Sequence, residues 1–295
     1  MYYFCVHKFD QMALNLKTLG TRALTALVFV VVLLGCLLWN YYSFSIFFFV
    51  VSLMGLNEFY KLSVNLNSQP YRVTGFICSI VLYASFIDFN YLNDYSNPFP
   101  DFRLLLILIP FIIFTVALFS KRDKPIQNSL FTIAGLIYSV VPFALLHGIV
   151  ISQEGEKVLP YFDPSILFGI ILLIWSNDTF AYLGGSLFGK NKMIERISPG
   201  KTWEGTLFGF LMTIGSGYIV ARFFIHGDTF MWLILGTVVP VMATIGDLVE
   251  SMIKRQAGIK DTGNLMPGHG GILDRFDSLI FVAPFVYVVV KLLNA

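Results

Sequence analysis

Long apolar runs separated by short polar stretches dominate this chain. Runs near bilayer-spanning length fall at 23–39, 43–60, 73–92, 103–119, 129–150, 165–187, 205–225, 229–252 and 278–294. About 20 apolar residues in a helix cross a hydrocarbon core of about 30 Å. The pattern therefore predicts an all-α polytopic integral membrane protein with about nine transmembrane helices. The second run is the weakest element, because only "NYYS" separates it from the first. The first run follows Lys17 and Arg22, as a signal peptide would, yet it reaches Trp39 without a small-residue cleavage site. With further runs behind it, it is expected to be a retained helix. Residues 1–11 carry no pattern, and Met12 is an alternative start, so whether they belong to the mature protein stays open.

The basic residues give the runs an orientation. With the N-terminus in the cytoplasm, one side collects Lys8, Lys17, Arg22, Lys61, Arg72, Lys121, Arg122 and Lys124. The same side collects Lys190, Lys192, Arg196, Lys201, Lys254, Arg255, Lys260 and Arg275. Only Arg103, Lys157, Arg222 and Lys291 fall opposite. The positive-inside rule then predicts a C-terminus on the far side. The chain is expected to divide into an N-terminal cytoplasmic segment (1–22), about five helices (23–150) and a C-terminal region of about four helices (151–295), where the candidate chemistry described below falls. That last region carries cytoplasmic loops 188–204 and 253–277.

Composition agrees. The 295 residues are 56% hydrophobic, include 30 Phe, and are only 13% charged, about half the charged share of a soluble domain. A net charge of +2 gives no reason to expect nucleic acid as a partner. Cys5, Cys36 and Cys78 are scattered in or near apolar runs, without metal-ligand or disulfide spacing.

Polar residues concentrate in the C-terminal half, in three clusters. In "WSNDTFAYLGGSLFGKNK" (175–192), Asp178 stands inside an apolar run, which marks a functional candidate. The competing reading is helix packing, with Ser176 and Asn177 bonding to a neighbour. "GGSLFGKN" is not a P-loop: Asn191 occupies the Ser/Thr position, and no strand precedes it. In "ISPGKTWEGTLFG" (197–209), Ser198 is expected as an N-cap with Pro199 opening a helix. Such an end, with Lys201 and Glu204 nearby, suits a phosphate; a capped helix with an interfacial Trp203 and a snorkelling lysine is the alternative.

The third cluster, "GDLVESMIKRQAGIKDTGNLMPGHGGILDRFDS" (246–278), says more. Asp247, Glu250, Ser251 and Lys254 share one helical face, and Asp274, Asp277 and Ser278 repeat the spacing at the next run. Carboxylates from two facing helices provide the few hard oxygen ligands that Mg²⁺ prefers. Lys254, Arg255, Lys260, His269 and Arg275 supply charge, and Gly268, Gly270 and Gly271 let backbone approach a ligand closely. Metal, cations and backbone donors together describe a polyphosphate pocket.

"SMIKRQAGIKDTGNLMPGHGGILDRFD" (251–277) resembles the signature of phosphatidate cytidylyltransferases (CDP-diacylglycerol synthases), and "SPGKTWEG" resembles that family's second motif. Ser251, Lys254, Arg255, Lys260, Asp261, His269, Gly270, Gly271, Asp274, Arg275 and Asp277 match; Met266 departs softly from the usual Leu, Ile or Phe. The motifs cover roughly residues 175–280; the N-terminal half matches in hydropathy and span number alone. The resemblance implies a Mg²⁺-dependent nucleotidyltransferase of the inner membrane that joins CTP and phosphatidic acid, often as a homodimer, with its site on the cytoplasmic face. The expected catalytic residues are Asp247, Asp274, Asp277, Lys254, Arg275 and His269, with Asp247 and Asp274 holding Mg²⁺ and a second cation left open. Ser198, Lys201, Glu204, Ser251, Arg255, Lys260, Asp261, Gly270, Gly271 and Asp178 are expected to bind substrate or phosphate. The alternatives are another CTP-dependent lipid enzyme (a polyprenol or phytol kinase, or a CDP-archaeol synthase) and a transporter using the same acids.

Overall fold

The computed structural model describes residue 20 and residues 23–87, 102–152, 161–224, 228–263 and 270–293. Among these residues the chain forms nine helices: α1 (Ala23–Trp39), α2 (Tyr41–Asn65), α3 (Arg72–Ala84), α4 (Arg103–Phe119), α5 (Pro125–Val150), α6 (Ser165–Phe188), α7 (Trp203–Phe223), α8 (Thr229–Gln256) and α9 (Leu273–Leu293). Six of them (α2 and α5 to α9) are long and apolar enough to cross a membrane; α1, α3 and α4 are shorter apolar helices. Two small antiparallel hairpins interrupt the helices. Strand β1 (Ile151–Ser152) pairs with β2 (Tyr161–Phe162), and β3 (Lys192–Ile194) pairs with β4 (Ser198–Thr202).

The weak link "NYYS" does separate two helices. Asn40 caps α2 by accepting from Ser43 N–H at 2.8 Å, while Ser43 Oγ accepts from Asn40 N–H in return. This reciprocal capping box satisfies two helix-end groups.

Aromatic residues join the N-terminal helices to α9. The Phe276 ring lies 5.5 Å from Phe29 of α1, 6.4 Å from Phe48 of α2 and 5.5 Å from Phe143 of α5. One phenylalanine of the 251–277 motif is thereby held by three helices of the other half. In the C-terminal half, α6 and α7 pack through small residues. A Cβ on Gly205 would lie 2.7 Å from Ala181 O, and one on Gly209 would lie 3.0 Å from Asn177 O. Only glycine lets the two backbones come so close.

Two expectations change. Ser198 does not cap a helix. Residues 198–202 are strand β4, in register with β3 through Ile194 and Ser198, and the helix opens only at Trp203. Thr202 is its cap, accepting from Gly205 N–H at 3.2 Å. A two-stranded ribbon has open edges, where proline's missing N–H costs little, so Pro199 fits the strand as well as a helix start. Also, α9 begins at Leu273, ahead of the apolar run at 278. Asp274 and Asp277 therefore lie within its first turns.

Candidate active site

The chemistry gathers where α8 and α9 pack together, beside the β3–β4 hairpin. The facing carboxylates expected from the helical spacing do meet. Asp247 and Glu250 of α8 and Asp277 of α9 offer oxygens that all lie within 4.8 Å of one another, a group able to hold a metal ion. Glu250 is 2% exposed. One of its oxygens takes Lys254 Nζ at 2.8 Å, whereas Oε1 is buried without a hydrogen-bond partner. An orphaned buried carboxylate oxygen costs free energy unless a cation or donor meets it. Three hard oxygen donors around such an atom match the ligand chemistry of Mg²⁺.

Asp274 is used differently from the expectation. Its Oδ1 accepts from Lys254 Nζ at 2.7 Å. Its Oδ2 accepts from Thr262 N–H at 2.8 Å, from the Thr262 hydroxyl at 2.9 Å and from Gly271 N–H at 2.7 Å. Both oxygens thus already hold partners within the protein. Lys254 bridges Glu250 and Asp274, with little of its side chain exposed.

The glycines serve this network as well. Gly270 has φ +80, a left-handed backbone that side chains other than glycine's adopt poorly, and a Cβ there would meet Asp274 Oδ2 at 2.5 Å. A Cβ on Gly271 would meet the Glu58 carboxylate and, at 2.5 Å, Thr262 Oγ1. The close approach these residues permit is toward Asp274 and Glu58, both within the protein.

Lys201, on β4, pairs with Asp247 at 2.5 Å, which ties the second motif to the third. Arg255 Nε reaches Ile197 O at 3.4 Å across the same junction. Glu204 turns away from the carboxylate group. It accepts from Lys190 N–H and Asn191 N–H at 3.1 Å and from Asn191 Nδ2 at 2.6 Å. The backbone donors of the near P-loop are thus taken by Glu204. Ser251 bonds Asp247 Oδ1 at 3.2 Å, while Lys260 and Asp261 are exposed. His269 lies outside the described residues. The helix-packing reading is realised at Ser176, which bonds Ser216 Oγ of α7 at 2.7 Å.

Two cavities flank the carboxylates, and Asp178 and Asp247 line both. One, of ≈ 350 Å³, has apolar walls from α1 (Ala26, Phe29, Val30) and Trp175, with Asp274, Arg275 and Asp277 on its polar side. The other, of ≈ 440 Å³, has Asn177, Ser186, Lys201, Thr202, Thr206 and Thr244 in its lining, together with substantial apolar surface that includes Ala181 and Tyr182. Sequence reasoning missed Glu58 and Thr262. Glu58 carried a usable signal, a carboxylate within the apolar run of α2; Thr262, a loop threonine, carried none.

A group of acids among apolar helices, flanked by two cavities that combine apolar walls with charged and polar side chains, defines a ligand-binding site in a membrane-type helical protein. The match to a family model narrows this class: residues 20–293 fit the cytidylyltransferase family, and the chain belongs to it. Relatives called phosphatidate cytidylyltransferase agree. The Staphylococcus epidermidis protein is 32% identical over 270 residues, covering 90% of this chain and 97% of its own. The Staphylococcus aureus protein is 31% identical over 272 residues, with the same shares covered. The Staphylococcus saprophyticus protein is 31% identical over 271 residues.

Proposed function

We propose that the chain is a phosphatidate cytidylyltransferase of the cell membrane, working with Mg²⁺ on the cytoplasmic face. A phosphate oxygen of phosphatidic acid attacks the α-phosphorus of CTP, and the bond to the β-phosphate oxygen breaks. CDP-diacylglycerol forms and pyrophosphate leaves. No protein nucleophile is required, so catalysis rests on positioning and charge neutralisation.

The observation that carries this reading is the group Asp247, Glu250 and Asp277, of which Asp247 lines both cavities and Asp277 the apolar-walled one. The apolar-walled cavity takes the lipid end, with Arg275 facing its phosphate. The cavity lined by Lys201 takes the nucleotide, with Lys201 toward the triphosphate. Mg²⁺ held by Asp247, Glu250 and Asp277 would neutralise part of the phosphate charge. Lys201 adds a further fixed cation, and Asp274 with Lys254 keeps the start of α9 in place against α8. Asp178, on the shared wall, sets the boundary between the two substrates.

The test is turnover by purified protein in phosphatidate-containing micelles with CTP labelled at the α-phosphate. Label should enter lipid and pyrophosphate should be released, and a chelator should stop both. Label left in CDP, with a phosphoryl group moved to lipid, would identify a kinase instead.

A further inference from the structure

Glu58 lies on α2, far in sequence from the motifs, and is 8% exposed. A carboxylate is costly at such depth unless donors surround it. Its described partners are all neutral donors near the start of α9. Oε1 accepts from Ile272 N–H at 2.9 Å; Oε2 accepts from Leu273 N–H and from the Thr262 hydroxyl, each at 2.9 Å. A helix begins with N–H groups that lack partners within it, and its dipole is positive there. Glu58 therefore supplies from another helix the cap that Ile272, the apolar residue before Leu273, cannot supply. Gly263 and Gly271 have no side chain, and a Cβ on either would run into the Glu58 carboxylate.

Thr262 extends the connection. Its hydroxyl stands 2.9 Å from both Glu58 Oε2 and Asp274 Oδ2. One hydroxyl proton cannot fully serve two carboxylates at once, so a shift in either changes the bond available to the other. Asp274 passes the contact to Lys254, and Lys254 to Glu250 of the acidic group. A chain of polar contacts thus runs from the N-terminal half to the carboxylates.

We infer that Glu58 is a positioning residue for cytidylyl transfer: from α2 it locks the first turn of α9 and the Thr262 end of the α8–α9 loop, and so sets the spacing of the α8 and α9 carboxylates. The inference rests on the proposed role of those carboxylates. Glu58 touches no substrate in this account and acts through α9.

Glu58→Gln keeps the side chain's shape but replaces one acceptor by a donor that faces backbone N–H groups. We expect kcat to fall at least 10-fold, with KM for CTP and for phosphatidate within about threefold of wild type. Hydrogen exchange followed by mass spectrometry should quicken in peptides spanning 257–276 and stay unchanged in α6 and α7. Thr262→Val, which removes only the hydroxyl bridge, should lower kcat severalfold with the same local exchange pattern. It also serves as the test if Glu58→Gln does not fold. Wild-type kcat and exchange in the tested variant would overturn the inference, as would faster exchange spread over all helices. Asp277→Asn, run in parallel, separates the two readings. If Asp277→Asn is inactive while Glu58→Gln turns over normally, the positioning role alone fails; if both turn over normally, the site itself has been misassigned.

Discussion

Within the site, residues of similar charge have different surroundings, and the structure predicts different outcomes for them. Asp247→Asn and Asp277→Asn should each lower kcat by at least about 100-fold, roughly 2.7 kcal/mol of transition-state stabilisation, while the protein still inserts and elutes as wild type. Near-normal turnover by either would exclude it from the metal group. Lys201 and Lys254 should separate. Lys201 is partly exposed and lines the ≈ 440 Å³ cavity, so Lys201→Ala should act on catalysis, by about 2–4 kcal/mol, read as a change in kcat/KM for CTP. Lys254, with little of its side chain exposed, lies between two carboxylates. Its loss leaves uncompensated buried charge, which costs about 3–5 kcal/mol of stability, so Lys254→Ala should show first as a lower unfolding temperature. Arg275 faces the apolar-walled cavity beside Asp274 and Asp277. A planar guanidinium suits two-point phosphate contact, and Arg275→Lys should therefore not restore activity.

At the scale of single elements, the β3–β4 hairpin and α7 bring the second motif to the site. Thr202 ends the strand and caps the helix in one residue. Thr202→Ala should cost about 1 kcal/mol, visible as a small drop in thermal stability. Gly205→Val should do far more, because its Cβ position lies 2.7 Å from Ala181 O and 2.8 Å from Gly185 Cα, both backbone atoms. Backbone cannot rotate aside as a side chain can, so α6 and α7 would have to separate. Loss of both solubilised yield and activity is the expected result; a stable, active Gly205→Val protein would show that this close packing is dispensable.

For the whole molecule, the hairpin lies against the C-terminal part of α8, joined to it by Lys201–Asp247 and by Arg255 with Ile197 O. The hairpin region and the loop after α8 carry Lys190, Lys192, Arg196, Lys201 and Lys260, and the positive-inside rule predicts that this end lies on the cytoplasmic side. A cysteine at Gln256, an exposed position at the end of α8, should react with a membrane-impermeant thiol reagent in inside-out vesicles and remain unlabelled in intact cells. The reverse pattern would turn the proposed active face to the outside. The labelling reads orientation directly, whereas helix length alone qualifies six helices for crossing.

The sequence by itself determined that the chain is helical and built for a membrane, and roughly where the helices run. Apolar run length and helical rise depend on local chemistry, which a linear pattern records. It also put Asp247 and Glu250 on one helical face and Asp274 and Asp277 on another, because i, i+3 spacing aligns side chains wherever the helix lies; from these it chose Asp247 and Asp274 as the metal ligands. Local pattern reached less far at 198–202, where strand pairing across the turn overrode a plausible helix start. The division of labour among the acids was decided only by tertiary structure. Asp274 and Asp277 lie three residues apart on one helix, yet Asp274 turns to Lys254, Thr262 and Gly271 while Asp277 joins the acids of α8. That choice depends on which donors the α8–α9 loop brings near. Glu58 depends on the fold still more. Its partners lie more than two hundred residues away in sequence, and only the packing of α2 beside the start of α9 turns a stray carboxylate in an apolar run into a helix cap.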